Sequence, residues 1–472
     1  MRDRRLAWFS PWPPQPSGIA GRSAELCREL SGKGYGIDVF VDDQDADVRP
    51  SIRRSPDSPP DPGSVRVQSA HDFVWRAARE QYDLAVYQVG NSALHDFIWP
   101  YLFRWPGLVL LHDARLHHAR GSALLKKKRF DDYREEFAYN QPEQSADLAE
   151  LAVRGFGGPY YYQWPMTRAV VEASRLVASH SQGAARELRE QFPLRQIEYV
   201  ALGEGPDRNA SAEANAFRQT HGLDSHAVVF GVHGGLTAEK RIPQILRAFH
   251  ATRPWLGNAR LLLAGRPHPS LSVLERIADL GLQENVRVID MLDDQLFDAA
   301  IAATDVSLNL RWPTTLETSG PWLRSLASGK PTVIFDLPHF AHVSTLDPRT
   351  WLRHWPTPDL SDDAKSSAVA VAIDILDEEH SLRLALRRLA SDAPLRVRLG
   401  ERARQFWERE HTVERMVQDV ERAIELAIRL PSPVPSLPEH VRPVASRLAD
   451  TLIRPFGLPP ALDDSHRRCE SS

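Results

Sequence analysis

The sequence predicts an α/β protein with two doubly wound, Rossmann-like domains that face a central cleft, followed by a helical C-terminal segment. Short apolar segments alternate with amphipathic ones, and this alternation occurs twice, before and after a glycine-rich stretch at 203–206. The chain has 472 residues, which exceeds the size of one ordinary core. We therefore expect two parallel sheets covered by helices, with ligands at the C-terminal ends of the strands.

The first alternating series occupies the N-terminal half. The pattern predicts strands at 6–9, 37–41, 65–68, 84–89, 108–111, 176–179 and 199–202. A helix is expected at 21–32. A polar, proline-rich connection follows the second strand at 42–64. The stretch 119–165, which is charged and then aromatic, is expected to form helical insertions that line the cleft.

The second series repeats the pattern. Strands are predicted at 228–232, 260–264, 286–289, 306–310 and 332–335, with a helix at 243–252. From residue 365 to 430 the chain is expected to be almost wholly helical. The predicted divisions are a first domain at 1–203, a second at 204–395, helices at 396–430 that could pack back on the first domain, and a proline-rich, polar tail at 431–472.

Composition excludes several classes of protein. Hydrophobic residues make up 42% and charged residues 25% of the chain, as in ordinary globular proteins, and the net charge of −4 gives no drive towards nucleic acid. Two cysteines offer no disulfide framework. The N-terminus lacks the apolar run of a signal peptide, and no uncharged stretch is long enough to span a bilayer. We expect a cytoplasmic protein, with peripheral contact to the inner face of a membrane left open.

A glutamate precedes a short predicted helix in the second half. The pattern predicts this helix at 321–328, with Gly329 just past its end. Free N–H groups at a helix N-terminus favour anions, so the preceding loop predicts an anion site. In the simpler interpretation Glu317 only caps the helix. Beside an anionic ligand its carboxylate would instead face hydroxyl groups, and a nucleotide diphosphate sugar carries both phosphates and hydroxyls.

Polar residues also follow strands of the first half. His112 and Asp113 come after the strand at 108–111, and Asn91 follows the strand at 84–89, so these side chains should contact substrate at the cleft. For Asn91 the simpler alternative is loop capping. His112 belongs to a run with His117 and His118 that could suggest a metal. The run lacks the helical i, i+4 pairing of a zinc motif, so no metal is predicted.

Two further loops could meet a ligand. Gly18 lies in the loop after the first strand, where a glycine lets backbone approach a ligand or simply makes a turn. Lys240 and Arg241 lie beside glycines ahead of the helix at 243–252. Cations are disfavoured at a helix N-terminus, so this pair is expected to neutralise a diphosphate. The basic run at 126–129 is interpreted as a solvated face, or as an acceptor or lipid-surface contact.

Taken together, these motifs resemble family-4 retaining glycosyltransferases of the GT-B fold, over residues 5 to about 430. The matching segments are the loop ending at Gly18, the pair His112-Asp113, the stretch 237–240, Gly265, the stretch 317–320 and the stretch 328–331. The resemblance implies a nucleotide-sugar donor bound by the second half and an acceptor bound by the first. It also implies retention of anomeric configuration, no metal and no cofactor, because the nucleotide sugar is a substrate.

The resemblance also implies roles for individual residues. Lys240 would contact the diphosphate, Glu317 the sugar hydroxyls, and His112 the region of the transferred sugar. Ser319 and Gly320 would meet phosphate, with Gly18 closing from the other half. The expected catalytic residues are His112, Lys240 and Glu317, and the expected substrate-binding residues are Gly18, Asn91, Asp113, Arg241, Arg266, Ser319 and Gly320.

Two positions depart from the family pattern. The usual arginine five residues before the lysine is Gly235, so phosphate charge must come from elsewhere, with Arg241 or Arg266 as candidates. The usual second glutamate, which binds ribose, is Ser325. Both departures leave the nucleotide preference open.

The function predicted from the sequence is transfer of a hexose from a UDP- or GDP-sugar to a hydroxyl of a glycan, a lipid-linked glycan or a small molecule, as in polysaccharide biosynthesis. Two alternatives remain. One is a non-catalytic nucleotide-sugar-binding protein, motivated by Gly235 and Ser325. The other is a GT-B epimerase, which would need a second carboxylate beside Glu317 that the sequence does not identify.

Overall fold

A computed structural model describes residues 4–15, 17–42, 65–206, 210–290, 293–352 and 367–442. Most of the predicted connection at 42–64 and most of the tail at 431–472 lie outside these residues. The described part contains two seven-stranded sheets in which every strand pairing is parallel. The predicted α/β architecture with two doubly wound halves is therefore confirmed.

The first sheet has the strand order β3-β2-β1-β4-β5-β6-β7. Its strands are β1 (Arg5–Phe9), β2 (Gly36–Val41), β3 (Val65–Ser69), β4 (Leu84–Val89), β5 (Leu108–Leu111), β6 (Leu176–Ser179) and β7 (Ile197–Tyr199). The order reverses between β1 and β4, so the loops after these two strands diverge to opposite faces and leave a crevice between them.

The helices of the first half cover both faces of this sheet. They are α1 (Gly18–Gly32), α2 (Phe73–Arg79), α3 (Ile98–Arg104), α4 (His117–Leu125), α5 (Phe130–Asn140), α6 (Asp147–Val153), α7 (Tyr160–Gln163), α8 (Arg168–Ala173) and α9 (Gln182–Gln191). Helix α1 begins three residues earlier than predicted, because the Ser17 hydroxyl accepts a hydrogen bond from Ile19 N–H and caps it. The insertion α4–α7 is helical as expected and has a small core of its own.

The second sheet has the order β10-β9-β8-β11-β12-β14-β13. Its strands are β8 (Val229–His233), β9 (Arg260–Ala264), β10 (Val286–Ile289), β11 (Val306–Leu308), β12 (Thr332–Phe335), β13 (Thr345–Leu346) and β14 (Ala370–Ile373). Here the order reverses between β8 and β11. The loops after these strands, at 234–241 and 309–319, therefore flank the crevice of the second half.

The remaining helices pack on the second sheet and then return to the first half. They are α10 (Ala210–Thr220), α11 (Ile242–Thr252), α12 (Val273–Asp279), α13 (Asp294–Ala302), α14 (Gly320–Ala327), α15 (Glu378–Ser391), α16 (Ala393–Glu410) and α17 (Val413–Arg429). Helix α14 ends at Ala327 with Ser328 as its C-cap, and Gly329 follows with φ of 62°, so the predicted end of this helix is correct to one residue.

Helix α17 packs against α1 and against strands β4–β6 of the first sheet. Its buried Asp419 accepts a hydrogen bond from Ala201 N–H at 3.0 Å, and Met416 lies in a hydrophobic cluster with residues of both halves. The chain therefore crosses between the halves twice, at 203–206 and again just before α17. At the crossing, Glu204 N–H donates to His411 O at 2.9 Å, so the two connections lie side by side.

Two predictions about strands are wrong. The chain after residue 365 is not wholly helical, because β14 forms a buried strand between β12 and β13. Its sequence, Ala-Val-Ala-Ile, contains strong helix formers, but burial on both faces of a parallel sheet outweighs propensity. The strand expected at 199–202 lies at β7 instead, although Val200 N–H still bonds to Ser179 O at 3.0 Å.

The two halves touch where α9 meets the loop after β12. A Cβ atom built on Gly183 would lie 2.3 Å from His339 Cα and 2.5 Å from His339 Cβ. Real side chains do not approach so closely, so only glycine fits at this point. The contact lies on the opposing faces of the two halves, and it therefore reports on how tightly they are closed.

We predict that Gly183→Ala separates the two halves. The substitution should favour the helix intrinsically, yet the clash with the His339 backbone should lower the free energy of unfolding by about 1–3 kcal/mol. Small-angle scattering should show a larger radius of gyration. Gly32→Ala, where an added Cβ meets nothing within 4 Å, is the matched control. Equal behaviour of the two variants would contradict the described closure.

Candidate active site

The crevice of the second half faces that of the first, and a small cavity of about 20 Å³, lined by residues of the second half, lies in it. Its walls come from the ends of β8 and β11, the first turn of α14 and the loop after β12. The lining residues are His233, Lys240, Leu308, Asn309, Leu310, Arg311, Thr314, Glu317, Ser319, Trp322, His339 and Phe340. Lys240, Glu317 and Ser319, which the sequence analysis singled out, therefore share one cavity.

Lys240 ends a short 3-10 turn after β8 and is almost fully buried, with 7% of its surface exposed. Its ammonium donates to the carbonyl oxygen of His233, the only hydrogen-bond partner it has among the described residues. Burial, with a smaller contribution from the positive charge of Arg311, holds the pKa of Lys240 well below its ordinary value. A buried cation with so few partners favours an anion in the cavity.

Glu317 is held by the loop that precedes α14. Its Oε2 atom accepts hydrogen bonds from the Thr314 hydroxyl at 3.0 Å, the Thr315 N–H at 2.9 Å and the Thr315 hydroxyl at 2.6 Å. Arg311 Nε lies 2.7 Å from the other oxygen, Oε1. Burial raises the pKa of Glu317, but the charge of Arg311 and these hydrogen bonds outweigh it, so the net pKa is lowered.

The first half reaches this carboxylate through Asp113. The Thr315 hydroxyl lies 2.6 Å from Asp113 Oδ1 as well as 2.6 Å from Glu317 Oε2, and Asn91 N–H donates to Asp113 Oδ2 at 2.8 Å. A hydroxyl has one proton, so it cannot donate to both carboxylates at once. Below about pH 6, where Asp113 carries a proton, that proton can be donated to Thr315, which in turn donates to Glu317.

The electrostatics agree with this proton arrangement. Burial, followed by the negative charge of Glu317, raises the pKa of Asp113 to about 6. Asp113 and Glu317 are thus a pair of carboxyl groups whose pKa values are pushed apart, so that Asp113 binds a proton first as the pH falls. The sequence analysis named Asp113 as a substrate contact but not as a partner of Glu317, because the two residues are about 200 positions apart and only the closure of the halves joins them.

No family model matches the sequence, and no curated protein matches it either. Solved structures do match. Sucrose-phosphate synthase from Thermosynechococcus elongatus has a TM-score of 0.60 at 15% identity, over 89% of this chain and 98% of its own. WaaG, a glycosyltransferase involved in lipopolysaccharide biosynthesis, has a TM-score of 0.56 at 13% identity, over 90% of this chain and 99% of its own. HepE from Anabaena, in complex with UDP and glucose, has a TM-score of 0.58 at 14% identity, over 89% of this chain and 99% of its own.

The chain has the GT-B fold. Identities of 13 to 15% establish the architecture and nothing about the reaction. In the GT-B arrangement the two sheets present their C-terminal strand ends to one another. The Lys240–Glu317 cavity lies in this position.

Three predicted residues of the first half lie near the GT-B cleft without lining the cavity. The His112 ring bonds to Gln88 Oε1 at 2.5 Å, and burial lowers its pKa well below the ordinary value, so the ring is neutral at pH 7. Asn91 accepts from Ala119 N–H at 2.9 Å through its side chain. Gly18 is the first residue of α1, with open space where a Cβ would be.

Helix α14 begins at Gly320 with Ser319 as its N-cap. The Ser319 side chain makes no capping hydrogen bond, so the first N–H groups of α14 are not capped by it. A Cβ on Gly320 would lie 2.8 Å from an Arg22 guanidinium nitrogen. Arg22 extends from α1 across the cleft and pairs with Glu204, so it is a cation at the cleft that the sequence analysis missed.

Neither arginine proposed to replace Gly235 lines the cavity. Arg241 forms a bidentate ion pair with Glu378, at 2.8 and 2.5 Å. Arg266 is 67% exposed and lies 3.5 Å from Asp290. The cation that joins Lys240 is instead Arg311, which stands in the same loop as Glu317.

Ser325 and the histidine run also have structural roles. The buried Ser325 hydroxyl bonds to Ser307 at 2.8 Å and faces the β11 strand, so it is not among the cavity residues. His117 is enclosed by Trp164 O and the Tyr133 hydroxyl, at 2.9 and 2.7 Å. Within the described ranges, no group of three or more His, Cys, Asp or Glu side chains is arranged to hold a metal ion.

The proton on Asp113 leads to a pH-dependent prediction. Its pKa is raised from 3.8 to about 6 in the folded chain. The protonated acid therefore contributes fully to the free energy of unfolding below about pH 4, and this contribution is lost as the pH rises through about 6. Asp113→Asn mimics the protonated acid, because its amide N–H donates to Thr315 and its oxygen still accepts from Asn91. At pH 8 the free energy of unfolding of the variant should exceed that of the wild type by up to about 3 kcal/mol.

Denaturant unfolding at pH 5 and pH 8 measures this difference. Asp131→Asn, at a side chain that is 98% exposed, is the matched control and should show no pH-dependent change relative to wild type. An Asp113→Asn effect of the same size at both pH values would contradict the raised pKa of Asp113.

Proposed function

We propose that this protein is a retaining glycosyltransferase that moves a hexose from a UDP- or GDP-sugar to a hydroxyl group of an acceptor. The observation that carries the proposal is that Lys240 and Glu317 line one cavity at the start of α14, in the second half, and that the loop of Glu317 contacts Asp113 of the first half. A buried cation and an uncapped helix N-terminus suit a diphosphate. A carboxylate with one oxygen towards the cavity suits sugar hydroxyls.

The donor would occupy the second half, 204–395, and the acceptor the first half, 1–203, with the helices at 396–430 joining the two. Solved neighbours support a nucleotide-sugar donor, since HepE from Anabaena has been captured with UDP and with UDP-glucose. In this arrangement Ser319 and Gly320 contact phosphate through their N–H groups. Gly18 and Asn91 lie on the acceptor side of the cleft.

The reaction would break the bond between the anomeric carbon and the phosphate oxygen. Lys240 would stabilise the negative charge that develops on the departing diphosphate, which is the role usually given to a preorganised cation. The acceptor hydroxyl would attack from the same face as the leaving group and pass its proton to the departing phosphate oxygen, which gives retention. Glu317 would hold the sugar ring, and His112 would lie beside it.

Transfer is expected without a divalent metal, because Lys240 and the helix N-terminus supply the positive charge at the diphosphate. The protein is expected to act in the cytoplasm, with a glycan or lipid-linked glycan as acceptor. None of the described helices has the length and apolar character needed to cross a bilayer. The exposed basic run at 126–129 supports peripheral contact with an anionic membrane face.

Two other functions remain as alternatives. The burial of Ser325 favours a non-catalytic nucleotide-sugar-binding protein, because the serine reaches Ser307 and cannot hold a ribose. The Asp113–Glu317 pair favours a GT-B epimerase, which needs one acidic and one basic carboxyl group near the sugar. Donor hydrolysis without an acceptor would exclude the first. Conversion of the donor into its epimer, observed by NMR, would favour the second.

We predict that Lys240→Ala and Glu317→Ala each reduce transfer or donor hydrolysis by about 100-fold or more. Loss of one preorganised charged group at the reacting centre has effects of that size. The assay measures nucleotide release in the presence of EDTA. Lys33→Ala, at an exposed lysine paired with Glu421 far from the cavity, is the control and should retain full activity. Wild-type rates in both site variants would refute the assigned roles.

Donor preference can be tested directly. We expect thermal stabilisation by nucleoside diphosphates and their sugar conjugates, because a ligand that binds only the folded chain raises its melting temperature. A screen with UDP, GDP, ADP and their common hexose conjugates should identify one base. The shift should be lost in Lys240→Ala. Absence of any shift for all three diphosphates would argue against the proposed function.

A further inference from the structure

Two positive side chains and one negative side chain line the cavity. The two positive side chains differ in the kind of group that they contact. Lys240 is bound to a backbone carbonyl, whereas Arg311 forms an ion pair with Glu317. After burial, the positive charge of Arg311 is the second cause of the lowered pKa of Lys240, so the two cations repel one another across the cavity. A ligand with two negative charges would relieve this repulsion.

The two oxygens of Glu317 differ in how they are held. Oε2 receives three hydrogen bonds from Thr314 and Thr315, which fix the carboxylate in the loop. Oε1 is buried, and its contact with Arg311 Nε at 2.7 Å lacks the alignment of a hydrogen bond. Loss of Arg311 would therefore leave the carboxylate in place, with Oε1 ready to accept a better donor.

Arg311 can move while its backbone stays in position. The next residue, Trp312, donates its N–H to Glu239 O at 2.7 Å and ties the loop to the turn that carries Lys240. The Arg311 side chain is 36% exposed, against 12% for Glu317, so it has room on the cleft side. An arginine fork can contact two phosphate oxygens at once, which gives it an advantage at a diphosphate.

No other arginine considered for the diphosphate is equally placed. Arg241 is held by Glu378 through two hydrogen bonds, and Arg266 lies near Asp290 away from the cavity. Arg22 is engaged by Glu204 and by the Gly203 carbonyl oxygen. Arg311 is thus the arginine among the cavity residues, and the only ion-pair partner it has within the described ranges is Glu317.

We propose that Arg311 is the second diphosphate-binding cation and that it exchanges partners, leaving Glu317 for the ligand when a nucleotide sugar binds. This inference rests on the proposed function and names the residue that recognises its substrate. The exchange frees Oε1 for a sugar hydroxyl, so the diphosphate and the sugar are recognised together. A nucleoside diphosphate without sugar satisfies Arg311 but leaves Oε1 without a donor, which favours release of the product.

Titration calorimetry with UDP, GDP and ADP, and with the corresponding monophosphates, tests the exchange. Arg311→Gln should raise the dissociation constant of the diphosphate that binds wild type by about 10- to 100-fold, the range for a charge-assisted contact. The dissociation constant of the corresponding monophosphate should change by less than about 3-fold. Arg349→Gln is the control, since the Arg349 side chain is also 36% exposed and also pairs with carboxylates, those of Asp347 and Asp374, which are not among the cavity residues.

A double-mutant cycle separates partner exchange from simple charge effects. In the wild-type background, Glu317→Gln should lower the dissociation constant of the diphosphate by about 3- to 10-fold, because Arg311 no longer has to leave a carboxylate. In the Arg311→Gln background the same change should have a clearly smaller effect. An equal gain in both backgrounds would overturn the exchange.

The outcomes distinguish this inference from the function on which it rests. If wild type binds one of the three diphosphates and Arg311→Gln binds it within about 2-fold, the inference fails and the proposed function stands. If wild type binds none of them, the proposed function fails and the inference with it. Circular dichroism and thermal melting of each variant establish that the compared chains are folded.

Discussion

The structure depends on one hydroxyl group, that of Thr315, which is shared between a carboxyl group of each half. Its single proton cannot serve both carboxylates at once, so protonation of Asp113, whose pKa is raised to about 6, strengthens the contact while Glu317 remains ionised. A second bond lies beside it, in which Ala114 N–H donates to Thr315 O at 2.8 Å. Closure of the halves, the charge state of the cavity and the orientation of Glu317 are therefore linked, because a change in any one of them alters this contact.

Much of the fold could be predicted from the sequence, because parallel strands buried on both faces appear as short apolar runs and the switch points of the sheets decide which loops meet. Lys240 and Glu317 could be placed in one site for this reason. The buried strand β14 was missed because alanine has a high helix propensity and burial was not visible. The short edge strand β13 gave too little pattern to detect.

The charged partners in the cavity were harder to predict. The family resemblance indicated that a cation was missing at Gly235, and we considered Arg241 and Arg266 as substitutes. Arg241 is instead paired with Glu378, and the cation in the cavity comes from the loop of Glu317 itself. Pairings of this kind depend on side-chain directions across the cleft, as do the Asp113–Thr315 contact and the approach of Arg22 to Gly320. No local pattern reports them.

The second crossing between the halves has a consequence for synthesis on the ribosome. Helix α17 covers strands β4–β6 on one face of the first sheet, beside α1. In that region Asp419 accepts a hydrogen bond from the Ala201 N–H. While the first half emerges, this surface has no cover, since its covering helix is made more than 200 residues later. Nascent chains that have released the first half must therefore keep an apolar seam exposed until α17 has been made, which makes that interval the one in which chaperone binding would protect the chain.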